Sequence, residues 1–187
     1  MKNYIIISLL LIFGCSKELD TLQDRGDLKY EINSTRPFSG SVYKEYESGE
    51  KEIKGYFKNG KQDGLWSGWY DDGQKNFIRN YKDGEKEGLV TYWYENGQKS
   101  YEGTFKGGKT DGLVNEWYEN GQKRSEGTYK DGKEDGLVTI WNEKGQKKSE
   151  ITYKNGEKDG LGIWWHENGN KIVESMYKDG EIILEKV

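Results

Sequence analysis

The chain is poor in the residues that most often carry chemistry or lock a small fold. It has one Cys, one His, one Pro and two Met among 187 residues. A single Cys excludes an intramolecular disulfide framework and a thiolate zinc site. A single His, His166, excludes a two-His metal site and an H-E-x-x-H motif. Abundant glycine without proline, and without a three-residue period, excludes collagen. Apolar residues are 32% and charged residues 33%, and the mean hydropathy is -1.06. So polar a chain is not expected to fill a thick aliphatic core. No Ser or Cys nucleophile elbow, P-loop or Rossmann fingerprint occurs. The carboxylates recur equivalently rather than as a specialised pair. The turn at Asp131–Gly136 faintly resembles a calcium loop. However, Lys133 holds a ligand position and Asn142 the twelfth, so it reads as a turn. We therefore expect no enzyme, no cofactor and no metal site.

What is present is glycine and aromatics in equal number. There are 26 Gly, and 7 Trp, 14 Tyr and 5 Phe together also make 26. So many rings argue against a flexible linker or a disordered chain. The glycines fall into columns spaced by 24 residues: Gly40 to Gly160, Gly49 to Gly169, and Gly60 to Gly180, six members each. Gly55, Gly103 and Gly127 form a fourth, broken column. Aromatics keep the same period. Trp69, Trp93, Trp117, Trp141 and Trp165 form one column. Phe57, Tyr81, Phe105, Tyr129, Tyr153 and Tyr177 form another. Tyr46, Tyr70, Tyr94 and Tyr118 form a third, which becomes Asn142 and His166.

Each unit reads as two short strands. Leu113–Tyr118 is rich in Val, Trp and Tyr, and Asn120-Gly121 offers a hairpin turn with both central residues tolerant of positive φ. Lys123–Tyr129 is the return strand, and Asp131-Gly132 turns the chain into the next unit. A helix is excluded because each interior glycine costs it about 1 kcal/mol. The fold expected is all-β: an elongated antiparallel meander of six 24-residue β-hairpin repeats from Gly40 to Ile183. At about 4.8 Å per strand such a sheet is roughly 58 Å long. Alternation puts Leu113 and Trp117 on one face and Val114 and Tyr118 on the other, with Ser125, Gly127 and Tyr129 sharing a face. Rings of one unit are expected to cover glycines of the adjacent strand. Leu28–Ile32 with Phe38 would cap the start, and Ile182-Ile183-Leu184 the end.

Residues 1–14 differ from the rest. Lys2 precedes the run Tyr4–Phe13, interrupted only by Ser8. A ten-residue helix is about 15 Å long, too short for a hydrocarbon core of about 30 Å. The segment therefore reads as a secretory leader. Ile12-Phe13-Gly14-Cys15 resembles a bacterial lipobox. That resemblance implies cleavage before Cys15, its diacylation, and attachment to a membrane. Ser16 in place of Asp leans toward the outer membrane where the cell has one. The organisation expected is a signal peptide over 1–14, a polar tether over 15–27, and the repeat domain over 28–187.

Tyr101-x-Gly103-x-Phe105-x-x-Gly108-x-x-x-Gly112 matches the repeat signature of the MORN family. The Trp-Tyr-Glu-Asn-Gly-Gln-Lys block resembles its bacterial variant. The resemblance covers roughly residues 38–183 and implies a β-hairpin array used for scaffolding, self-association or membrane apposition. Some bacterial members carry an antitoxin label. The function expected is a lipid-anchored envelope protein whose repeats form a protein-interaction surface. The alternatives are a toxin-binding antitoxin or a cell-wall glycan-binding module. The Trp column with Tyr81, Tyr129, Tyr153 and Tyr177 is expected to form the aromatic core. Trp66, Tyr92 and Trp164, which break the period, are the candidate binding surface. Two lysine columns and the acidic column Asp63, Glu87, Asp111, Asp135, Asp159 read as solvated turns and edge protection. The net charge is -4, or -5 once the leader with Lys2 is removed. That balance argues against nucleic acid and against electrostatic attachment to anionic lipid.

Overall fold

The computed structural model describes residues 16–187. The leader and the lipidation site Cys15 lie outside the described residues. The six units, with one strand before them and one after, build a 16-stranded sheet. Each unit supplies a leading and a return strand, as in Gly40–Glu45 with Lys51–Lys58 and Gly88–Trp93 with Lys99–Lys106. From the fourth unit the leading strand lengthens, to Lys109–Trp117, Lys133–Trp141 and Glu157–Trp165. A closing strand, Glu181–Lys186, pairs with Lys171–Lys178. Strands adjacent in sequence are adjacent in space throughout this run, so the expected antiparallel meander forms.

The two glycine turns of each unit exchange the roles expected of them. The Asn-Gly turns are not two-residue loops. Tyr94 N–H donates to Gln98 O and Gly97 N–H to Tyr94 O, at 2.8 and 3.0 Å. Only Gly97 has positive φ, at 80°. This is a three-residue loop closed by a left-handed glycine. Asn96 stays at negative φ, and its Oδ1 accepts from Gln98 N–H at 3.0 Å. The tight two-residue turns lie between units instead. Asp131 and Gly132 have φ of 51° and 85°, and Lys130 pairs directly with Lys133. Asp or Asn serves at the first position because its short side chain tolerates the left-handed region.

Side-chain alternation divides the sheet into two unlike faces. On one, Val114 pairs with Gly127, and Gly127 with Val138. Phe57, Tyr81, Phe105, Tyr129, Tyr153 and Tyr177 lie on this face, as do the buried Val42, Val90 and Ile151. Rings do cover glycines here. A Cβ on Gly55 would fall inside the Trp66 indole, and one on Gly68 inside the Phe77 ring. On the other face Leu113 pairs with Thr128 and Asn115 with Glu126.

The stretch expected to be a tether is structured and packed. Lys17–Glu18 pairs in parallel with Gly40–Glu45, and Gln23–Arg25 pairs with Leu28–Tyr30. Leu22 is buried with Val42, Phe57 and Trp66, and Leu19 and Phe38 pack around them. The physical reason is spacing. Leu19 and Leu22 are isolated among polar residues, yet they fall where the first unit leaves its apolar face uncovered. The start cap is thus larger than Leu28–Ile32 with Phe38. Lys29 N–H donates to Gly60 O, and Phe38 N–H to Lys29 O, stitching it to the first unit.

Candidate interaction surface

The three residues expected to be exposed binding aromatics all lie on the packed face. Trp66 is only 4% exposed. Its ring meets Phe57 edge-on at 5.1 Å, and its indole N–H donates to Tyr56 O at 3.1 Å. Tyr92 and Trp164 are half-buried, with rings 5.7 Å from Tyr101 and 6.1 Å from Tyr177. Breaking the period is not a mark of exposure here. These side chains fill the packed face where other units place smaller residues.

The Trp column, expected in the aromatic core, lies on the opposite face and is half-buried. Trp117 alternates with Leu113 and Asn115 at the hairpin end of its strand. Lys99 Nζ lies 5.9 Å from the Trp117 ring centre and forms an ion pair with Glu102. Lys123 repeats this with Trp141 and Glu126, and Lys147 with Trp165 and Glu150. A cation on each ring face gives these indoles an electrostatic partner already. Of the expected core residues, Tyr81, Tyr129, Tyr153 and Tyr177 do share the packed face. Burial pushes the Tyr129 and Tyr153 phenols above the usual tyrosine range, and does the same to Tyr101.

Two ladders hold the units in register. Tyr46, Tyr70, Tyr94 and Tyr118 donate their hydroxyls to the carbonyls of Trp69, Trp93, Trp117 and Trp141, at 2.6 to 2.9 Å. Each bond spans 23 residues, from one unit to the next. At the other edge Gly84 N–H donates to Gln62 O, and Gly132 N–H to Thr110 O. The acidic column contributes here: Asp111 and Asp135 carboxylates accept from the Asp131 and Asn155 backbone N–H groups. Sequence reasoning assigned these acids to solvated turns. Their constant offset of 20 residues from the turn they cap was the signal available.

What the fold leaves open is the face bearing the leucines. Leu65, Leu89, Leu113, Leu137 and Leu161 are between 37% and 56% exposed. Each sits beside Asn80, Thr104, Thr128, Thr152 or Met176 on the paired strand. Two strand spacings separate consecutive leucines, about 10 Å. Next to this row runs Glu102, Glu126, Glu150 and Glu174, and beyond it the Trp–Lys row. One surface therefore carries parallel apolar, acidic and aromatic stripes along the array. A cleft of about 460 Å³ lies where the N-terminal cap meets the packed face, between Leu19, Phe57, Trp66 and the carboxylates of Asp24, Asp27 and Glu85. Among the described residues, no group of three or more His, Cys, Asp or Glu is placed to hold a metal ion.

A search of curated proteins finds no match. The family profile described as MORN repeat variant matches residues 62–83, 86–106, 110–131, 134–155 and 158–179. The unmatched first unit, Gly40–Glu45 with Lys51–Lys58, has the same strand and turn layout. MORN repeats are consistent with a protein-interaction or scaffolding surface. With more than half of its length matched, the chain belongs to the MORN repeat variant family.

Proposed function

We propose that the protein is a lipid-anchored component of the cell envelope whose repeats present an interaction surface to another protein. The observation that supports this is the open face with its equivalent Leu, Glu and Trp rows. Side chains that recur along one axis suit an extended partner, because each unit adds the same contact again. Exposed apolar rows flanked by charge are the usual composition of such a surface. The anchoring part rests on Tyr4–Phe13 and Cys15. Strand pairing begins at Lys17. A lipid on Cys15 would therefore hold the sheet's first edge within about two residues, roughly 7 Å of chain, of the acylated end.

Two measurements test this. Metabolic palmitate labelling with fractionation should find the wild type labelled and in membranes, and Cys15→Ala unlabelled and released. An unlabelled wild type sinks the anchoring. For the surface, Leu89→Lys, Leu113→Lys and Leu137→Lys together should abolish partner capture by cross-linking in cells while the purified protein stays folded. Unchanged capture means that the open face is not the contact.

A further inference from the structure

Arg79 breaks the repeat in a way that packing alone does not explain. It occupies the fourth glycine column, where other units have Gly55, Gly103, Gly127, Ile151 and Ser175. It therefore projects onto the packed face, directly across from Trp66. Its guanidinium carbon lies 3.9 Å from the Phe77 ring centre and 4.8 Å from that of Tyr92. The two rings are tilted 53° to each other, so the guanidinium sits in the corner they form and is held there by attraction to both. Yet its Nε is buried without a hydrogen-bond partner. Among the described residues, no carboxylate lies within ion-pair distance of it.

A second unpaired cation converges on the same tyrosine. Lys86 Nζ donates to the Tyr92 hydroxyl at 3.5 Å and lies 5.0 Å from the Phe105 ring centre. It too has no carboxylate partner among the described residues. The chain has 33 acidic residues against 29 basic ones. Both cations meet Tyr92 and neither has an acid within ion-pair distance, so an oxyanion docking beside this tyrosine would supply the partner that each lacks. We infer that Arg79, Lys86 and Tyr92 form a binding site for a carboxylate group.

The guanidinium fork matches a carboxylate bidentately, the Lys86 ammonium supplies a further donor, and the Phe77 ring provides an apolar wall. A phosphate dianion fits less well. It asks for more donors, and the net negative charge of the chain repels it twice as strongly as a monoanion. On the interaction reading above, the carboxylate is an Asp or Glu side chain or the chain terminus of the partner. The site lies on the face opposite the leucine row, so the two contacts are separable.

The test is a titration of the isotope-labelled full chain with sodium acetate, followed by NMR at the Arg79 Nε–H and Tyr92 ring signals. Both should shift saturably, whereas sodium chloride at equal ionic strength should not reproduce the shift. Arg79→Gly restores the residue of the repeat and should abolish the Tyr92 response with the remaining spectrum kept. Arg79→Lys keeps the charge but not the fork, and guards against a folding defect in the glycine variant; it should bind more weakly. Lys86→Met should weaken acetate about tenfold, the loss expected for one hydrogen bond to a charged group. A chloride shift equal to the acetate shift, tighter saturation by inorganic phosphate, or a Tyr92 response surviving in Arg79→Gly would each overturn the site. Because acetate probes the site without any partner, a failed capture experiment leaves this result standing, and the reverse also holds.

Discussion

At the residue scale, the packed face works because small and large side chains alternate across strands. Gly55 leaves its backbone bare for the Trp66 ring, so Gly55→Ala forces the indole off its seat. Gly127 is less confined, since the nearest atom to an added Cβ is Val138 Cγ2 at 3.0 Å. Gly55→Ala should lower the unfolding free energy by about 2 kcal/mol or more and Gly127→Ala by clearly less, as measured by urea denaturation. The same reasoning separates two tryptophans that look alike in sequence. Trp66→Ala empties the cluster with Leu22, Val42 and Phe57 and should cost about 3–5 kcal/mol. Half-buried Trp117, on the open face, should cost much less. The phenols of Tyr101, Tyr129 and Tyr153 add a pH dependence. Burial holds their folded pKa above the unfolded value. The native state thus retains protons that the unfolded chain releases from about pH 10 upward. Their contribution is complete below that pH and is lost as pH rises through the folded values. Thermal unfolding should shift to lower temperature above about pH 10. Tyrosinate absorbance should rise later in the folded protein than in urea.

At the element scale, the tyrosine ladder sets how firmly one hairpin holds the next. Tyr94→Phe removes only the hydroxyl that reaches Trp117 O, and should cost about 1 kcal/mol. The last two units have Asn142 and His166 in this column. Asn142 spends its side chain within its own turn, where Oδ1 accepts from the Lys144 and Gln146 N–H groups. Nothing at that position ties the fifth unit to the Trp165 carbonyl. Amide hydrogen exchange should therefore be faster in the hairpin around Lys171–Lys178 than in that around Lys99–Lys106, and Asn142→Tyr should slow it. The turns were half legible in the sequence. Asn-Gly and Asp-Gly both announce a reversal, but which one is tight depends on strand register across the turn. Register is a property of the paired strands, and neither dipeptide carries it.

At the scale of the whole molecule, stability should build up unit by unit, since each hairpin touches mainly its neighbours. Deleting residues 112–135 removes one complete unit and restores every register beyond it. That variant should fold with a smaller m-value and a lower denaturation midpoint than the parent. Deleting half a unit changes which strand meets which, and puts a leading strand where a return strand belongs. It should yield a molecule with weak protection throughout, as read by hydrogen exchange. The N-terminal segment enters this account as well. Leu19 and Leu22 close the apolar end of the array, so truncation to residue 28 should expose Phe57 and Trp66 and destabilise the first unit most.

The sequence alone settled the period, the order of strands, the pairing of neighbours and the seating of rings on glycines. All of these follow from local turn chemistry and from a pattern repeated until chance is excluded. The tertiary structure decided which face is packed. Alternation sorts Val114 from Leu113 but treats the two sets alike, and both contain aromatics. Three things chose between them: glycines such as Gly55 and Gly68, on which the Trp66 and Phe77 rings lie on that side; the N-terminal segment, whose two leucines cover its first unit; and the lysines set over rings of the Trp column on the other. Each joins residues far apart along the chain or on different strands, so none could be read from one stretch of sequence. Trp66 and Arg79 show the consequence: each interrupts a column in the same way, and only their neighbours across the sheet make one a core residue and the other a cation without a partner.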